Sequence, residues 1–232
     1  MPDLSKLHEE LAGTITAGRL MSDVLDDITG IGHRAVAASE ATSVTLIRGE
    51  RAGTAAYHGQ MARDAEELQY ERGYGPCLDA ARAGLVLTIA DTRTDDRWPD
   101  YARQVSERGV RSSLSVPLPF QGATIGALNF YATRASAFTD ADVALGEEVS
   151  TWVAIAVGNG EAVARTAEDA ENMRRAMSSR AVIEQGKGIL MERHKLTADQ
   201  AFTVLSRISQ QTNRKLRDIA EHLVQTGELL TG

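Results

Sequence analysis

All five prolines of this 232-residue chain lie before residue 120, and none occurs from Asp140 to the C-terminus. Because proline breaks helices, this proline-free part of the chain can form long uninterrupted helices. An alternating spacing of four and three residues runs through Val149, Val153, Ala156, Gly160, Val163, Ala167, Ala170, Arg174 and Met177. This spacing is typical of a coiled coil and predicts a connector helix that forms a homodimer. A single amphipathic helix that covers its own sheet is the alternative, mainly for residues 140–160.

The hydrophobic period changes several times before residue 140. Helical periodicity is predicted over 4–38, 61–73 and 98–108, with a short helix after the glycine-proline turn of 73–84. Strands are predicted at 42–47, 53–59, 85–91, 111–120 and 123–132. Gln121-Gly122 separates the last two strands and predicts a hairpin. The order of elements indicates an α+β fold with an antiparallel sheet over residues 20–160.

The last fifty residues predict three short helices in a compact bundle. The first helix ends near His194, and a Thr-Ala-Asp-Gln capping box at Thr197 begins the second. The third follows Asn213 and ends before Gly227, a suitable C-cap residue.

Two glycines, Gly186 and Gly188, flank Lys187 in the first of these helices, although glycine costs about 1 kcal/mol in a helix interior. A helical wheel places Gly186 in the apolar arc, which predicts close packing against another helix. Gly188 lies away from that arc, beside a face that carries Arg180 and Lys187. A nucleotide or phosphate could rest against its bare backbone. Crowding by another helix is the alternative explanation of Gly188.

The net charge of −7 is unevenly distributed. Residues 180–232 hold 8 Lys or Arg and 6 Asp or Glu, so this segment is weakly basic and the remainder is acidic. Basic side chains concentrate in the stretch NRKLR, which contains Asn213, Arg214, Lys215 and Arg217. Helix N-termini bind anions, and these residue types suit phosphates and base edges. A solvated charged face is the alternative.

Several functional classes are disfavoured. The single cysteine, Cys77, excludes a disulfide within the chain and any zinc site with two thiolates. The scattered histidines match no metal-binding spacing, and no phosphate-binding loop is present, so we expect no metal, no cofactor and no enzymatic activity. Cys77 follows a proline at a helix start, which could lower its thiol pKa and makes it a weak ligand-sensing candidate. The preferred interpretation of Cys77 is a small buried residue. The longest apolar run is too short to cross a membrane, and the polar N-terminus predicts a cytoplasmic protein.

Two known families resemble parts of this sequence. SRAVIEQGKGILMERHKLTADQAFTVLSRISQQTNRKLRDIAEHL, at 179–223, closely resembles the ANTAR domain, a three-helix RNA-binding module of bacterial antiterminators. That family usually has alanine where this chain has Gly186. LQYERGYGPCLDA (68–80), LTIADTRTDDRWPDY (87–101) and SLSVPLPFQGATIGALNFYA (113–132) resemble a GAF sensor domain.

The resemblance implies a GAF-like domain over 1–160, a helical connector over 161–178 and an ANTAR domain over 179–232. It implies an antiterminator that binds two adjacent hairpins with hexanucleotide loops in nascent mRNA, and so acts on RNA polymerase indirectly. Carried over by position, Gln185, Lys187 and Gly188 belong to the recognition helix, while Asn213, Arg214, Lys215 and Arg217 form the basic entry to the third helix. Arg180 and Arg193 are supporting candidates. An unidentified small molecule is the candidate ligand of the GAF domain.

Two other functions stay open on the sequence. The chain could be a dimeric sensor that acts through a protein partner, with the three-helix segment as its docking surface. The same bundle could read duplex DNA as a helix-turn-helix, although no clear recognition helix with a glycine turn supports this.

Overall fold

The computed structural model describes residues 4–14 and 18–229. The parts of the expected N-terminal helical stretch and of the expected domains that fall on residues 1–3, 15–17 and 230–232 lie outside the described residues. The chain divides into two compact units, Met1–Glu161 and Ala162–Gly232.

The first unit is a five-stranded antiparallel sheet flanked by helices, which confirms the predicted fold class. Its elements are α1 (Leu4–Thr14), α2 (Met21–Ala35), β1 (Ala41–Arg48), β2 (Arg51–His58), α3 (Gln60–Arg72), α4 (Pro76–Ala83), β3 (Leu87–Ile89), α5 (Pro99–Glu107), β4 (Ser112–Phe120), β5 (Ala123–Ala132) and the start of α6 (Asp140–His194). The strands are arranged in the order β2-β1-β5-β4-β3.

The β4–β5 hairpin forms as predicted. Gln121 and Gly122 both have positive φ, 49° and 81°, as a two-residue turn that matches the strand twist requires. Strand β3 is shorter than the predicted 85–91. Leu87 pairs with Ser115, so extending the strand to the predicted Leu85 would place Leu85 opposite Pro117, which has no N–H to donate.

The two faces of the sheet differ in polarity. One face carries buried apolar side chains such as Val44, Leu114 and Phe130, which share a core with α1, α2 and the first turns of α6. The other face, covered by α3, α4 and α5, carries the buried polar residues Ser43 and Asn129. The apolar face supplies most of the packing, and the polar face forms a separate buried compartment.

Helix α6 is 55 residues long and begins with a capping interaction between Thr139 and Asp142. Val149 and Val153 are fully buried in the core of the first unit. The first part of the coiled-coil-like pattern therefore covers the domain's own sheet, as the alternative interpretation held. Residues 161–169 are all exposed, and Val163 and Met177 retain 70% and 66% exposure.

The second unit contains α6 from Ala162 onwards, together with α7 (Ala198–Thr212) and α8 (Leu216–Thr226). Its buried core consists of Leu190, Ala201, Leu205, Ile219, Ala220 and Leu223. The capping box at Thr197 and the left-handed Gly227 after α8 confirm the predicted helix ends. Within residues 4–14 and 18–229, no helix combines the length and apolar character needed to cross a membrane.

Candidate nucleic-acid interface

Gly186 packs against α8, as its position in the apolar arc predicted. A Cβ built on this glycine would lie 3.2 Å from the Cβ of Ala220 and 3.4 Å from its Cα. A contact this short lets the backbones of α6 and α8 approach closely, so Gly186 has a structural explanation.

Helices α6 and α8 run in the same direction. Gly186 meets Ala220, and Arg193 meets Gly227, and both pairs are separated by 34 residues. Extending this register places Lys215, at the start of α8, level with residue 181 of α6. The basic entry to α8 therefore lies at the same end of the bundle as Arg180.

An open groove lies between α6 and α8, and three of the predicted RNA-binding residues line it. Its walls are formed by Gln185, Gly188, Ile189, Glu192, Arg193 and Val224. Gln185, Gly188 and Glu192 follow each other at three and four residues, so they share one face of α6. The groove thus has a polar helix face on one side and the partly exposed Val224 of α8 on the other.

Gly188 forms the exposed backbone of this groove. A Cβ built on it meets no other atom of the described chain within 4 Å, apart from its chain neighbours and the nearby backbone of its own helix. The structure therefore excludes crowding by another described helix as its explanation. The glycine therefore lowers helix stability without a packing contact in the described part of the chain that requires it.

Arg193 links the ends of two helices. Its guanidinium donates a hydrogen bond to the carbonyl of Gly227, the residue that ends α8. The side chain therefore has a structural role and, at the same time, presents a fixed planar cation at the edge of the groove.

Lys187 is absent from the residues that line the groove. It lies roughly 200° around α6 from Gln185, seven residues after Arg180 and on the same stripe. Its ammonium donates to both carboxylate oxygens of Glu184, each at 2.9 Å, and only 15% of its side chain is exposed. The Lys187 side chain is thus largely covered, and its ammonium is already paired with Glu184.

The α7–α8 junction presents its polar residues to solvent. Asn213 adopts a left-handed conformation with φ 51°, and the hydroxyl of Ser209 donates to the carbonyl of Arg214 at 2.6 Å. These contacts fix the turn that carries Arg214 and Lys215, both exposed. Arg217 pairs with Asp218 at 3.3 Å in an exposed ion pair, which contributes little stability.

A buried polar cluster lies on the other unit, under α3 and α4. The carboxylate of Glu66 accepts hydrogen bonds from Ser43 at 2.7 Å and from Tyr131 at 2.6 Å. Burial without a cation raises the Glu66 pKa, although these hydrogen bonds oppose the shift. Burial, followed by the charge of Glu66, raises the pKa of the Cys77 thiol. The predicted lowering at a helix start is therefore wrong, because the thiol is fully buried next to a carboxyl group.

The family model of the ANTAR domain matches residues 171–224, and that of the GAF domain matches residues 18–158. The chain belongs to the GAF family and carries a C-terminal ANTAR domain. An ANTAR domain is an RNA-binding antitermination domain and a GAF domain is a sensor, so this GAF–ANTAR protein is a regulator. Its domain composition is that of a sensor and an RNA-binding module rather than of a catalyst.

Solved structures show the GAF fold in the first unit. The GAF domain of a phosphoenolpyruvate-protein phosphotransferase from Coxiella burnetii is 14% identical, covers 70% of this chain and 96% of its own, and superposes with a TM-score of 0.56. The corresponding Acinetobacter domain is 16% identical, with 69% and 95% coverage and a TM-score of 0.55. A free methionine-R-sulfoxide reductase from Neisseria meningitidis is 16% identical, with 67% and 91% coverage and a TM-score of 0.51. At these identities the similarity shows the fold alone. None of the curated proteins searched matches the chain.

Sequence reasoning missed two features of this GAF–ANTAR protein. Glu192 lines the ANTAR groove, and its position seven residues after Gln185 was the signal that could have revealed it. In the GAF domain, the buried hydroxyls of Ser113 and Ser115 and the side-chain carbonyl of Asn129 have no hydrogen-bond partner within the described chain. Ser115 pairs in register with Asn129, so two of these groups are neighbours on the polar face of the sheet.

Proposed function

We propose that this protein is a signal-responsive antiterminator that binds an element of two hairpins with hexanucleotide loops in nascent mRNA. Binding would stabilise the hairpins against formation of a terminator, so that RNA polymerase continues, in the cytoplasm and without catalysis by the protein. The observation that carries the proposal is Gly188, a helix-interior glycine that borders an open groove and that no packing contact of the described residues requires.

The proposed RNA face divides the contacts between two regions of the ANTAR domain. An unstacked loop base enters the groove of Gln185, Gly188 and Arg193, because single-stranded RNA is read through splayed bases. The exposed junction of Asn213, Arg214, Lys215 and Arg217 holds phosphates, helped by the N-terminus of α8. Arg217 lies seven residues before Val224, hence two turns along the same stripe of α8, so an RNA strand can run between the two regions.

Arg180 and Lys187 form the outer edge of the proposed face. Arg180 is exposed and lies at the same end of the bundle as the basic entry to α8. Lys187 contacts RNA only if its ammonium leaves Glu184, so we expect a smaller contribution from Lys187 than from Lys215.

Two hairpins match two copies of the protein, and the proposed dimer forms through the exposed part of the connector. Residues 161–178 carry Val163, Met173 and Met177 at 66–70% exposure, on a helix that has buried residues before and after this segment, such as Val157 and Leu190. A second copy of the same helix would cover these side chains.

In the GAF domain, we propose the compartment of Ser113, Ser115 and Asn129 as the place where a small polar molecule is sensed, since its unpaired buried groups need partners.

A gel shift with a two-hexaloop RNA tests this function. Lys215→Ala should weaken binding and reduce the salt dependence of the affinity, because each lost phosphate contact releases one fewer counterion. Arg207→Ala is the matched control, since Arg207 lies on the exposed side of α7, two residues after the buried Leu205.

Three outcomes would count against the proposal. Absence of salt-dependent binding to the two-hexaloop RNA by the wild-type protein would refute it. Unchanged affinity of a Lys187→Ala, Lys215→Ala double variant would refute the site. Stable co-purification with a protein partner, without nucleic acid, would favour the alternative in which the bundle is a protein-docking surface.

A further inference from the structure

We propose that the groove between α6 and α8 recognises a guanine base, and that Glu192 is the residue that selects it. This inference rests on the proposed RNA-binding function and specifies what the groove reads. Glu192 was not among the residues expected from the sequence to contact RNA, and it enters through its position in the groove.

The residues that line the groove suit a flat base. Gly188 presents bare backbone, and Ile189 and Val224 add apolar surface. Gln185 and Glu192 stand on either side of Gly188 along the same face of α6, about 10 Å apart along the helix axis. A base lying over Gly188 therefore has one long polar side chain at each end.

Arg193 provides a stacking surface for the base. Its guanidinium is planar, and its hydrogen bond to the Gly227 carbonyl fixes its orientation at the groove. A base can stack on such a plane through its π-face, as it does on aromatic side chains. This contact does not distinguish between bases, so the selection must come from the polar side chains.

The carboxylate of Glu192 only accepts hydrogen bonds. Guanine presents two adjacent donors on its Watson–Crick edge, N1–H and the N2 amino group, which match the two carboxylate oxygens. The Gln185 amide can donate to guanine O6, which lies beyond N1 on the same Watson–Crick edge. Adenine, uracil and cytosine each place an acceptor among these positions, where it would face the Glu192 carboxylate.

The charge of Glu192 also repels a phosphate at its end of the groove. Its side chain is 78% exposed and pairs with Lys195 at 3.2 Å, a weak surface contact that a base can replace. Phosphates are instead attracted to Arg217, two turns along the same stripe of α8 as Val224. The groove and the basic junction therefore take different parts of the same nucleotide chain.

The test measures affinities for two-hexaloop RNAs in which each loop guanine is replaced, one at a time, by inosine, which lacks the N2 amino group. The wild-type protein should bind at least one inosine RNA about 5-fold or more weakly, because a good bidentate base contact gives roughly 1–3 kcal/mol of discrimination. In Glu192→Gln, the ratio between the guanine and inosine RNAs should fall towards 1. Glu184→Gln is the matched control, because Glu184 lies on the same helix outside the groove and should leave that ratio unchanged.

The outcomes separate this inference from the function on which it rests. If the wild-type protein binds the RNA but shows no guanine preference at any loop position, or if Glu192→Gln keeps that preference, the guanine assignment is overturned while RNA binding stands. If the wild-type protein does not bind the two-hexaloop RNA, the proposed function itself fails. Circular dichroism of Glu192→Gln should show the wild-type helix content, since the side chain is exposed.

Discussion

Gly188→Ala should make the protein more stable and a weaker RNA binder. The added methyl meets no atom of the described chain beyond the glycine's own neighbours, so no clash offsets the helix propensity of alanine. The expected gain is about 1 kcal/mol in the free energy of unfolding. For a domain of this size, that gain corresponds to about 4–8 °C in Tm for the transition that unfolds the ANTAR domain.

The methyl of Gly188→Ala would also occupy the space over the residue 188 backbone, where the proposed base lies. Overpacking of a close contact costs about 1–3 kcal/mol, which predicts an affinity loss of about 5-fold to 150-fold. Stability and affinity should therefore change in opposite directions, which a general folding defect would not produce.

Gly186→Ala is the matched control, with the same chemical change two residues away. Its new Cβ would lie 3.2 Å from the Cβ of Ala220, so strained packing offsets part of the propensity gain. Because Gly186 faces the core, we expect a smaller gain in stability than for Gly188→Ala and an RNA affinity close to that of the wild type.

The assay combines thermal unfolding followed by circular dichroism with RNA affinity measured at one fixed salt concentration. A stabilised Gly188→Ala protein with unchanged RNA affinity would show that RNA does not approach this backbone. A destabilised protein would show that the space at Gly188 is needed by the fold, and would remove the main support for the proposed face.

Three further predictions concern other parts of the chain. Burial raises the pKa of Glu66 above its ordinary value of 4.5, so GAF-domain stability should fall as the pH rises from 4.5 towards the folded-state pKa, by up to about 1.4 kcal/mol per pH unit. Glu66→Gln should flatten this dependence in urea titrations. Val163→Glu with Met177→Glu should convert the proposed dimer to a monomer by light scattering, and a wild-type monomer at micromolar concentration would contradict it. Arg193→Met should lower ANTAR-domain stability by about 1 kcal/mol, because the Gly227 carbonyl loses its donor; an unchanged Tm would argue against that role.

The helix ends and the hairpin could be predicted because their signals are local. The capping box at Thr197, the left-handed Gly227 and the Gln121-Gly122 turn each depend on residues within one turn of the chain. Short-range hydrogen bonds and positive φ angles restrict the allowed residue types at these positions. The order of strands and helices followed from such signals.

Periodicity shows which helix or strand face is apolar, but it does not show which element packs against that face. The four-three spacing at Val149 and Val153 fits a coiled coil and a helix on its own sheet equally well, and only the fold shows that the sheet covers it. The pairing limit of β3 is set by Pro117 on a strand 30 residues away in the chain. Likewise, the burial of Cys77 beside Glu66 depends on two helices and a strand that meet only in the folded domain.

Gly186 and Gly188 show how the same local cost can have different causes two residues apart. A rotation of roughly 200° between them places them on different sides of α6. Helix α8 accounts for the first glycine, while nothing in the described chain accounts for the second. Helix stability does not account for Gly188, because alanine fits there and improves the helix. The proposed RNA contact accounts for it through an interaction outside the folded chain. The groove beside Gly188 is therefore a better guide to the RNA contact than Lys187, whose charge made it prominent in the sequence but whose ammonium is held by Glu184.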